Sequence, residues 1–328
     1  MKQIIVLFIT IFTIQSLMAQ VYKKENPLAH TYSIVAYDTA TGDMGVAVQS
    51  HWFSVGSIVT WAEAGVGAIA TQSLVNPDFG PQGLALLKAG LTAQQTVNAL
   101  VATDKGEMYR QLAIVDANGN VAVHTGDKCI KEAGHQTGVG FSVQANMMKN
   151  DSVWGAMATA YEASSDLPLA ERMVAAMEAA QSVGGDIRGK QSSAILVVRA
   201  KPTGKIWQDR LVDLRVEDHE IPIVELKRLV KVHRAYGHMN NGDVAMEEGD
   251  IDKAIEEYGA AEALFPENIE MQYWHAVNLV NAGKLKEALP MFKTIFSANE
   301  DWRLLTERLI EPGLLNVNKK ELKKILKQ

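Results

Sequence analysis

The stretches HTYSIVAYD at residues 30–38 and GVAVQSH at residues 45–51 decide the fold of the first part of the chain. In each stretch apolar residues alternate with small or polar residues, which is the pattern of a β-strand. The residues between them, TATGD at positions 39–43, include Gly42 and Asp43, two residue types that suit a tight turn. The two stretches therefore predict a β-hairpin with Thr31 at the start of its first strand.

Mixed strand and helix patterns continue after the hairpin. Strands are predicted at residues 64–73, 138–144 and 191–199, and a second hairpin is predicted over residues 111–124. Amphipathic helices are predicted at residues 81–89, 92–102, 153–163 and 169–182. Hairpins that flank pairs of helices indicate a layered α+β domain over residues 30–220.

A helical domain of a different kind is predicted over residues 221–328. No strand pattern follows Ile221, and small and aromatic residues recur at a spacing of 34 positions, the length of a tetratricopeptide repeat (TPR). One repeat is marked by Gly242, Gly249, Ala254, Tyr258, Ala261 and Pro266, and the same shift gives Ala276, Gly283, Ala288 and Phe292. Gly249, Ala254 and Gly283 are expected where helices cross closely. The alternative is a helical appendage without repeats.

Six segments of the first domain closely resemble a bacterial family, domain of unknown function 1028, which is placed with the N-terminal-nucleophile (Ntn) hydrolase fold. They are HTYSIVA (30–36), GVAVQSHWFSVG (45–56), WAEAGVGA (61–68), TQS (71–73), FSVQANMM (141–148) and GGDIRGKQSS (184–193). The resemblance covers residues 30 to about 220. It implies a four-layer αββα sandwich of two antiparallel sheets, followed here by the all-α TPR-like domain. It implies no substrate, because the family has no settled activity.

Thr31 is the candidate catalytic residue. In Ntn hydrolases the first residue of the mature chain supplies the attacking hydroxyl, and its free α-amine, with a pKa of about 7.7–8.0, takes the proton. Thr31 can act in this way only if the bond between His30 and Thr31 is cut, because signal cleavage after Ala19 leaves residues 20–30 attached. Thr31 is therefore either a nucleophile exposed by a second cleavage, for which autocatalysis is one route, or an ordinary strand residue.

Further residues are candidates for a supporting or substrate-binding role. Ser50 and His51 end the second strand, which in an Ntn sheet lies beside the first and places polar groups near the nucleophile. Two further pairs lie at predicted strand ends, where they could orient substrate or donate into an oxyanion hole: Gln72 and Ser73, Gln144 and Asn146. Asp186, Arg188 and Gln191 lie in a polar loop, where an Asp–Arg pair could bind a substrate carboxylate or fix the N-terminal amine. The alternatives are a half-buried His51, buried amides that satisfy loops, and an ion pair that closes the loop.

Residues 1–19 have the pattern of a cleavable secretory signal peptide. Lys2 precedes a nearly all-apolar run at residues 4–14, and Ala19 is a small residue before the expected cleavage site. The run is too short to span a bilayer, which takes about 20 apolar residues. The sequence predicts cleavage after Ala19, a short pro-segment or linker at residues 20–29, and a periplasmic or secreted protein without a membrane span after cleavage.

Composition and missing motifs narrow the function. A formal net charge of -6 without a basic patch gives no reason to expect nucleic acid as a partner. The sequence has no HExxH, CxxC or GxSxG motif and no phosphate-binding glycine loop, so no metal or cofactor is predicted. We expect an amidohydrolase that cleaves an amide or isopeptide bond of a small-molecule or peptide substrate. The alternatives are a transferase with the same first step and a binding module whose TPR-like region recruits a protein or cell-wall partner.

Overall fold

The computed structural model describes residues 28–328. The predicted signal peptide at residues 1–19 and residues 20–27 of the predicted linker lie outside the described residues. The chain divides into two compact units, of which the first ends at Val230 and the second runs from Lys231 to Gln328. This division lies later than the predicted boundary at residue 220, because Ile223, Leu226 and Val230 are buried in a core of the first unit.

The strands of the first unit form two antiparallel sheets. In chain order they are β1 (Leu28–Ala29), β2 (Thr31–Tyr37), β3 (Met44–Ser50), β4 (Thr60–Glu63), β5 (Gly67–Leu74), β6 (Arg110–Asp116), β7 (Val121–Thr125), β8 (Gly134–Gly138), β9 (Phe141–Ala145), β10 (Ser192–Val198) and β11 (Arg210–Val216). The 6-stranded sheet has the order β11-β10-β3-β2-β9-β8, and the 5-stranded sheet has the order β1-β5-β6-β7 with β4 paired to β5. The predicted first hairpin is confirmed, since Thr31 pairs with Ser50 and Tyr37 pairs with Met44.

The helices of the first unit are α1 (Gly56–Val59), α2 (Phe79–Lys88), α3 (Ala93–Thr103), α4 (Val153–Ala163), α5 (Leu169–Ser182) and α6 (Ile206–Asp209), with a 3₁₀ turn at Glu107–Tyr109. Helices α2 and α3 cover the outer face of the 5-stranded sheet, and α4 and α5 cover that of the 6-stranded sheet. Helix α3 begins with a capping box, in which the Thr92 hydroxyl accepts from the Gln95 backbone N–H and the Gln95 side chain accepts from that of Thr92. Such caps satisfy N–H groups that have no partner within the helix.

Three apolar cores separate four layers. One core lies between the 6-stranded sheet and helices α4 and α5, another lies between the 5-stranded sheet and helices α2 and α3, and the third lies between the two sheets. Successive side chains of a strand point to opposite faces. In β2, Ile34 accordingly belongs to the core under α4 and α5, and Val35 to the core between the sheets. The αββα sandwich implied by the resemblance is confirmed.

The stretch predicted as one strand at residues 138–144 is a hairpin instead. Strands β8 and β9 pair from Gly134 opposite Ala145 to Gly138 opposite Phe141. Strand β8 was not predicted because its sequence, GHQTG, lacks apolar alternation, and its central residues are exposed. Gly140 lies in the turn with a φ of 73°, a left-handed conformation that favours glycine.

The second unit contains no strand within the described residues. Its helices are the later part of α7 (Pro222–Glu248), then α8 (Ile251–Leu264), α9 (Ile269–Asn281), α10 (Leu285–Ala298), α11 (Asp301–Arg308) and α12 (Lys319–Ile325). The repeat positions Tyr258 and Phe292 are fully or almost fully buried, as the TPR pattern predicts. In residues 28–328, no helix combines the length and the apolar character needed to cross a membrane.

The prediction that Gly249 and Gly283 mark close helix crossings is wrong. Both residues follow the end of a helix with φ near +79° and +78°, and no atom lies within 4 Å of where a Cβ would be placed. They end helices, a position at which the left-handed conformation is common and glycine is preferred. The close contact belongs to Gly242, where an added Cβ would lie 2.8 Å from the Tyr258 ring.

Ala254 does lie in a packed core, which makes it a test of the second unit. It is fully buried with Ala235, Met239, Tyr258 and Met271. Ala254→Leu is expected to overpack this core and to lower the free energy of unfolding of the second unit by about 1–3 kcal/mol. Chemical denaturation measures this change, and Glu256→Leu on the exposed side of α8 is the control. Equal stabilities of the two variants would contradict the packing described here.

Candidate functional site

Thr31 is the first residue of β2 and is fully buried. It pairs with Ser50 at the end of β3, so the start of one strand and the end of the next lie side by side. The Thr31 hydroxyl donates a hydrogen bond of 2.7 Å to the backbone carbonyl of Ala29. His30 and Thr31 are both buried, so the peptide bond between them lies in the interior of the first unit.

The carbonyl oxygen of His30 accepts two hydrogen bonds from side chains. Ser50 Oγ donates at 2.5 Å and Arg188 Nη2 donates at 2.7 Å. Arg188 is held in place by the buried carboxylate of Asp186, 2.7 Å from Nη2 and 3.1 Å from Nε. The same carboxylate accepts from the backbone N–H groups of Arg188 and His51. An ion pair thus directs one guanidinium N–H at the carbonyl that precedes Thr31.

Buried amides hold the next carbonyl oxygen, that of Thr31. The backbone N–H of Asn146 donates to it at 3.1 Å, and Asn146 Nδ2 and Gln72 Nε2 each lie 3.3 Å away. Both side-chain amides also donate to Gln111 Oε1, at 2.9 Å from Asn146 and 2.7 Å from Gln72. Gln72 and Gln111 come from the 5-stranded sheet and Thr31 from the 6-stranded sheet. The amide cluster therefore fixes Thr31 relative to both sheets.

The imidazole of His30 is buried beside Asn146. Nδ1 lies 2.9 Å from Asn146 Oδ1, and Nε2 has no hydrogen-bond partner among residues 28–328. Because Asn146 Nδ2 donates to two other groups, Oδ1 is the acceptor here and Nδ1 carries the proton. Burial lowers the pKa of His30 below 6.5, the charge of Arg188 lowers it further, and the bond to Asn146 opposes both. His30 is therefore neutral at pH 7.

The lowered pKa of His30 predicts a pH-dependent stability of the chain in which the bond between residues 30 and 31 is intact. The unfolded chain has a His pKa of about 6.5, so below this pH it binds more protons than the folded chain. The stabilisation is present above about pH 6.5 and is lost as the pH falls toward the folded-state pKa. Between about pH 7.5 and about pH 5, the melting temperature of the Thr31→Ala variant should fall further than that of the same variant with His30→Gln added. Parallel pH profiles would show that His30 is not the titrating group.

Six of the predicted supporting residues come close to Thr31 and the peptide bond before it. Ser50, Asp186, Arg188, Gln72 and Asn146 make the contacts described above, and Ser73 pairs with Ala29 in the 5-stranded sheet. Ser73 has a φ of 77°, which is unusual for a residue other than glycine and indicates backbone strain at this point.

Three predicted residues do not bring their side chains to this site. The Gln144 amide donates to Ser33 and accepts from Ser142, and only its backbone carbonyl approaches Gln72. The His51 side chain is exposed rather than half-buried, and its backbone N–H is the group that contacts Asp186. Gln191 donates to Asp218, while its backbone N–H binds the Ser50 carbonyl.

The sequence analysis missed Gln111 and His30. Gln111 stands directly before the apolar run Leu112–Val115 of strand β6 and opposite Gln72. A polar residue beside such a run is expected to be buried and then needs hydrogen-bond partners, so its place in the strand was an available signal. His30 belongs to the opening motif, but the sequence pattern marks it only as the residue before a cleavage.

Family models and solved structures match parts of this chain. The model of the family of unknown function DUF1028 matches residues 31–226, and a tetratricopeptide repeat model matches residues 245–309. The crystal structure of a DUF1028 protein from Silicibacter pomeroyi has 32% sequence identity and a TM-score of 0.56, and covers 62% of this chain and 88% of its own. Anbu (ancestral beta-subunit) from Yersinia bercovieri has 13% identity and a TM-score of 0.31, and covers 60% of this chain and 92% of its own. A search of curated proteins finds no match.

The residues matched by the family model include Thr31, Ser50, the amide cluster and the Asp186–Arg188 pair. The matched region spans more than half of the 328 residues. The resemblance drawn from the six segments is confirmed. The chain belongs to the family of unknown function DUF1028 and carries a tetratricopeptide repeat region after the family domain.

Proposed function

We propose that the protein is an exported Ntn-type amidohydrolase that cuts its own chain before Thr31 and then cleaves an amide or isopeptide bond with Thr31. The supporting observation is the pair of donors on the His30 carbonyl, Ser50 Oγ at 2.5 Å and Arg188 Nη2 at 2.7 Å. This carbonyl belongs to the peptide bond that must break to free the Thr31 amine. Two donors at one carbonyl oxygen stabilise the negative charge that develops there when a nucleophile attacks.

The self-cleavage consists of an acyl shift followed by hydrolysis. Thr31 Oγ1 attacks the carbonyl carbon of His30, and the charge on the carbonyl oxygen is stabilised by Ser50 and Arg188. The C–N bond then breaks, and the hydroxyl proton ends on the Thr31 nitrogen, which leaves an ester between His30 and Oγ1. Water hydrolyses this ester to the His30 carboxylate. The hydroxyl and the amine of Thr31 are then both free.

The same groups serve the reaction with substrate. The free amine takes the Thr31 hydroxyl proton as Oγ1 attacks the substrate carbonyl, and the proton passes to the leaving amine. The substrate carbonyl oxygen takes the place of the His30 carbonyl oxygen between Ser50 and Arg188. Water then hydrolyses the acyl ester on Thr31 and returns the enzyme to its starting state. Asp186 acts as a positioning residue because it holds Arg188.

The first residue of the mature protein tests this proposal. Protein purified from its native envelope is expected to begin at Thr31, as determined by intact mass and N-terminal sequencing. A mature chain that begins at Gln20 would contradict the enzyme and favour the second candidate function below. The chain of the Thr31→Ala variant is the reference for the uncut mass.

Export is a separate expectation. The short apolar run that ends at Ala19 should direct the chain out of the cytoplasm and be removed there. Cell fractionation is expected to find the processed protein in the periplasm or the medium, with a cytoplasmic enzyme as the marker for leakage. Full-length protein that begins at Met1 and stays with the cytoplasmic marker would refute export.

The second candidate function is a binding module that keeps the fold without turnover. The supporting observation is a groove of about 620 Å³ in the helical unit, lined by Tyr236, Tyr258 and Trp274 together with carboxylates such as Asp243 and Glu270. Stacked helical repeats commonly bind partners on such concave surfaces. Co-sedimentation of the full chain with purified cell wall, lost in Trp274→Ala, would support this function. Multiple turnover of an amide by the purified chain would contradict it.

A further inference from the structure

We infer that the residues before Thr31 occupy the acyl side of the substrate site, and that the substrate is an extended peptide ending in a small residue and a histidine before the bond that is cut. This inference rests on the proposed function and names its substrate class. Three observations support it: the strand pairing of Leu28 and Ala29, the burial of Ala29, and the polar contacts of His30.

The segment before Thr31 is bound as a strand. Leu28 pairs with Leu74 and Ala29 pairs with Ser73, antiparallel to β5 at the edge of the 5-stranded sheet. A peptide that adds to a sheet edge is held by main-chain hydrogen bonds, and its alternate side chains enter separate pockets. The edge of β5 is therefore a binding surface for an extended chain, which its own N-terminal segment fills before cleavage.

The position of Ala29 sets a limit on size. Ala29 is fully buried and belongs to the apolar core between the two sheets, together with residues such as Val48 and Val75. Cores packed to this degree resist added methylene groups. A substrate residue at this position is expected to be small, with alanine as the reference.

The position of His30 requires a hydrogen-bond donor. Asn146 Oδ1 faces the imidazole at 2.9 Å, and the amide cannot be turned around because Nδ2 donates to Gln111 and Thr31. An aromatic side chain without a donor would leave this buried oxygen unpaired, and such a site rejects a ligand that lacks the matching group. The neutral imidazole fits without burying a charge.

Cleavage would empty this surface. Two residue pairs hold the segment to β5, so little strand pairing opposes its release once the bond to Thr31 is gone. The vacated groove then runs along β5 to Asn146. It ends between Ser50 and Arg188, at the oxygen site, where these two side chains hold the carbonyl oxygen of residue 30 before cleavage. A peptide such as Leu-Ala-His fills the groove in the same direction as residues 28–30, with its last carbonyl beside the Thr31 hydroxyl.

The experiment compares peptides on the cut and uncut chains. Calorimetry measures binding of acetyl-Leu-Ala-His, acetyl-Leu-Ala-Phe and acetyl-Leu-Leu-His to the chain that begins at Thr31, after dialysis, and to the uncut Thr31→Ala chain. On the cut chain the first peptide is expected to bind at least about 10-fold more tightly than each of the others. The corresponding anilides should show the same order in kcat/KM. The uncut chain should bind none of them, because its own residues 28–30 fill the groove.

Each remaining outcome overturns the inference, and the two proposals fail in different ways. A cut chain that hydrolyses other amides without preferring Leu-Ala-His overturns the inference and leaves the amidohydrolase standing. A chain that stays uncut by mass refutes the proposed function and also the inference, because the groove then never empties. Equal binding of Leu-Ala-His to the cut and uncut chains places the peptide elsewhere and overturns the inference alone.

Discussion

Replacement of Thr31 with alanine is expected to leave the chain uncut between His30 and residue 31 and to lower amide turnover by at least about 10⁴-fold. The reason is that the same hydroxyl performs the self-cleavage and the attack on substrate. Thr31→Ser keeps the hydroxyl and should retain part of both activities. Intact mass reports the cut, and an assay over a panel of amides and acylated amino acids reports turnover.

The controls separate chemistry from packing. Thr31→Val keeps the shape of the side chain without the hydroxyl, and should be uncut like the alanine variant. A merely structural threonine would still cost about 1–3 kcal/mol of stability where the buried hydroxyl is lost, because the Ala29 carbonyl then loses its donor, but it would affect nothing else. If the alanine variant is cut at the same bond, an external protease makes the cut. A cut chain that turns over no amide and is not labelled by an electrophilic threonine probe would remove the catalytic role.

Ser50→Ala is expected to slow self-cleavage by about 10²–10³-fold, the usual cost of losing one donor to a developing oxyanion. The Ser50 hydroxyl donates to the His30 carbonyl at 2.5 Å, and Arg188 remains as the second donor in the variant. The measurement is the rate at which the uncut chain disappears, followed by mass spectrometry after refolding from denaturant. Arg188→Lys should also slow the cut, while its charge still balances the buried Asp186.

Ser33→Ala is the matched control for Ser50→Ala. Ser33 is a buried serine of β2 that accepts a hydrogen bond from Gln144, and it makes no contact with the His30 carbonyl among those described. Both variants lose one buried hydroxyl, so the costs in stability should be similar. If Ser33→Ala slows the cut as much as Ser50→Ala does, the effect comes from general destabilisation rather than from the oxygen site.

The layers of the first unit could be predicted because local sequence patterns indicate the strands and helices that form them. Two-residue alternation predicts β2 and β3, and helical periodicity at residues 153–163 and 169–182 matches the bounds of α4 and α5. Strand β1 could not be predicted in this way, since two residues contain no period. The register of β5 against β6, which sets Gln72 opposite Gln111, depends on pairing between segments far apart in the chain.

The sequence predicted the types of residue in the site better than the directions in which their side chains point. Ser50 and His51 are neighbours at the end of a strand, where successive side chains point to opposite faces. The Ser50 hydroxyl therefore reaches the His30 carbonyl while the His51 imidazole is exposed. The side chain of Gln191 is also directed away from the site. Its backbone N–H binds the Ser50 carbonyl, while its side chain binds Asp218. Nearness along the chain is thus not enough to place a side chain in the site.

The separation of the two donors along the chain has a consequence for when the first unit acquires its chemistry. Ser50 follows His30 by 20 positions, whereas Arg188 follows it by 158. A ribosome that adds roughly 5–20 residues per second needs on the order of 10 seconds to synthesise the chain from His30 to Arg188. Throughout that interval a nascent chain has Thr31 but lacks the guanidinium. Under the self-cleavage proposed above, the bond between residues 30 and 31 is cut at its full rate only after β10 and its preceding loop have joined the sheet, so a cut chain is one in which these late elements have already been added to the 6-stranded sheet.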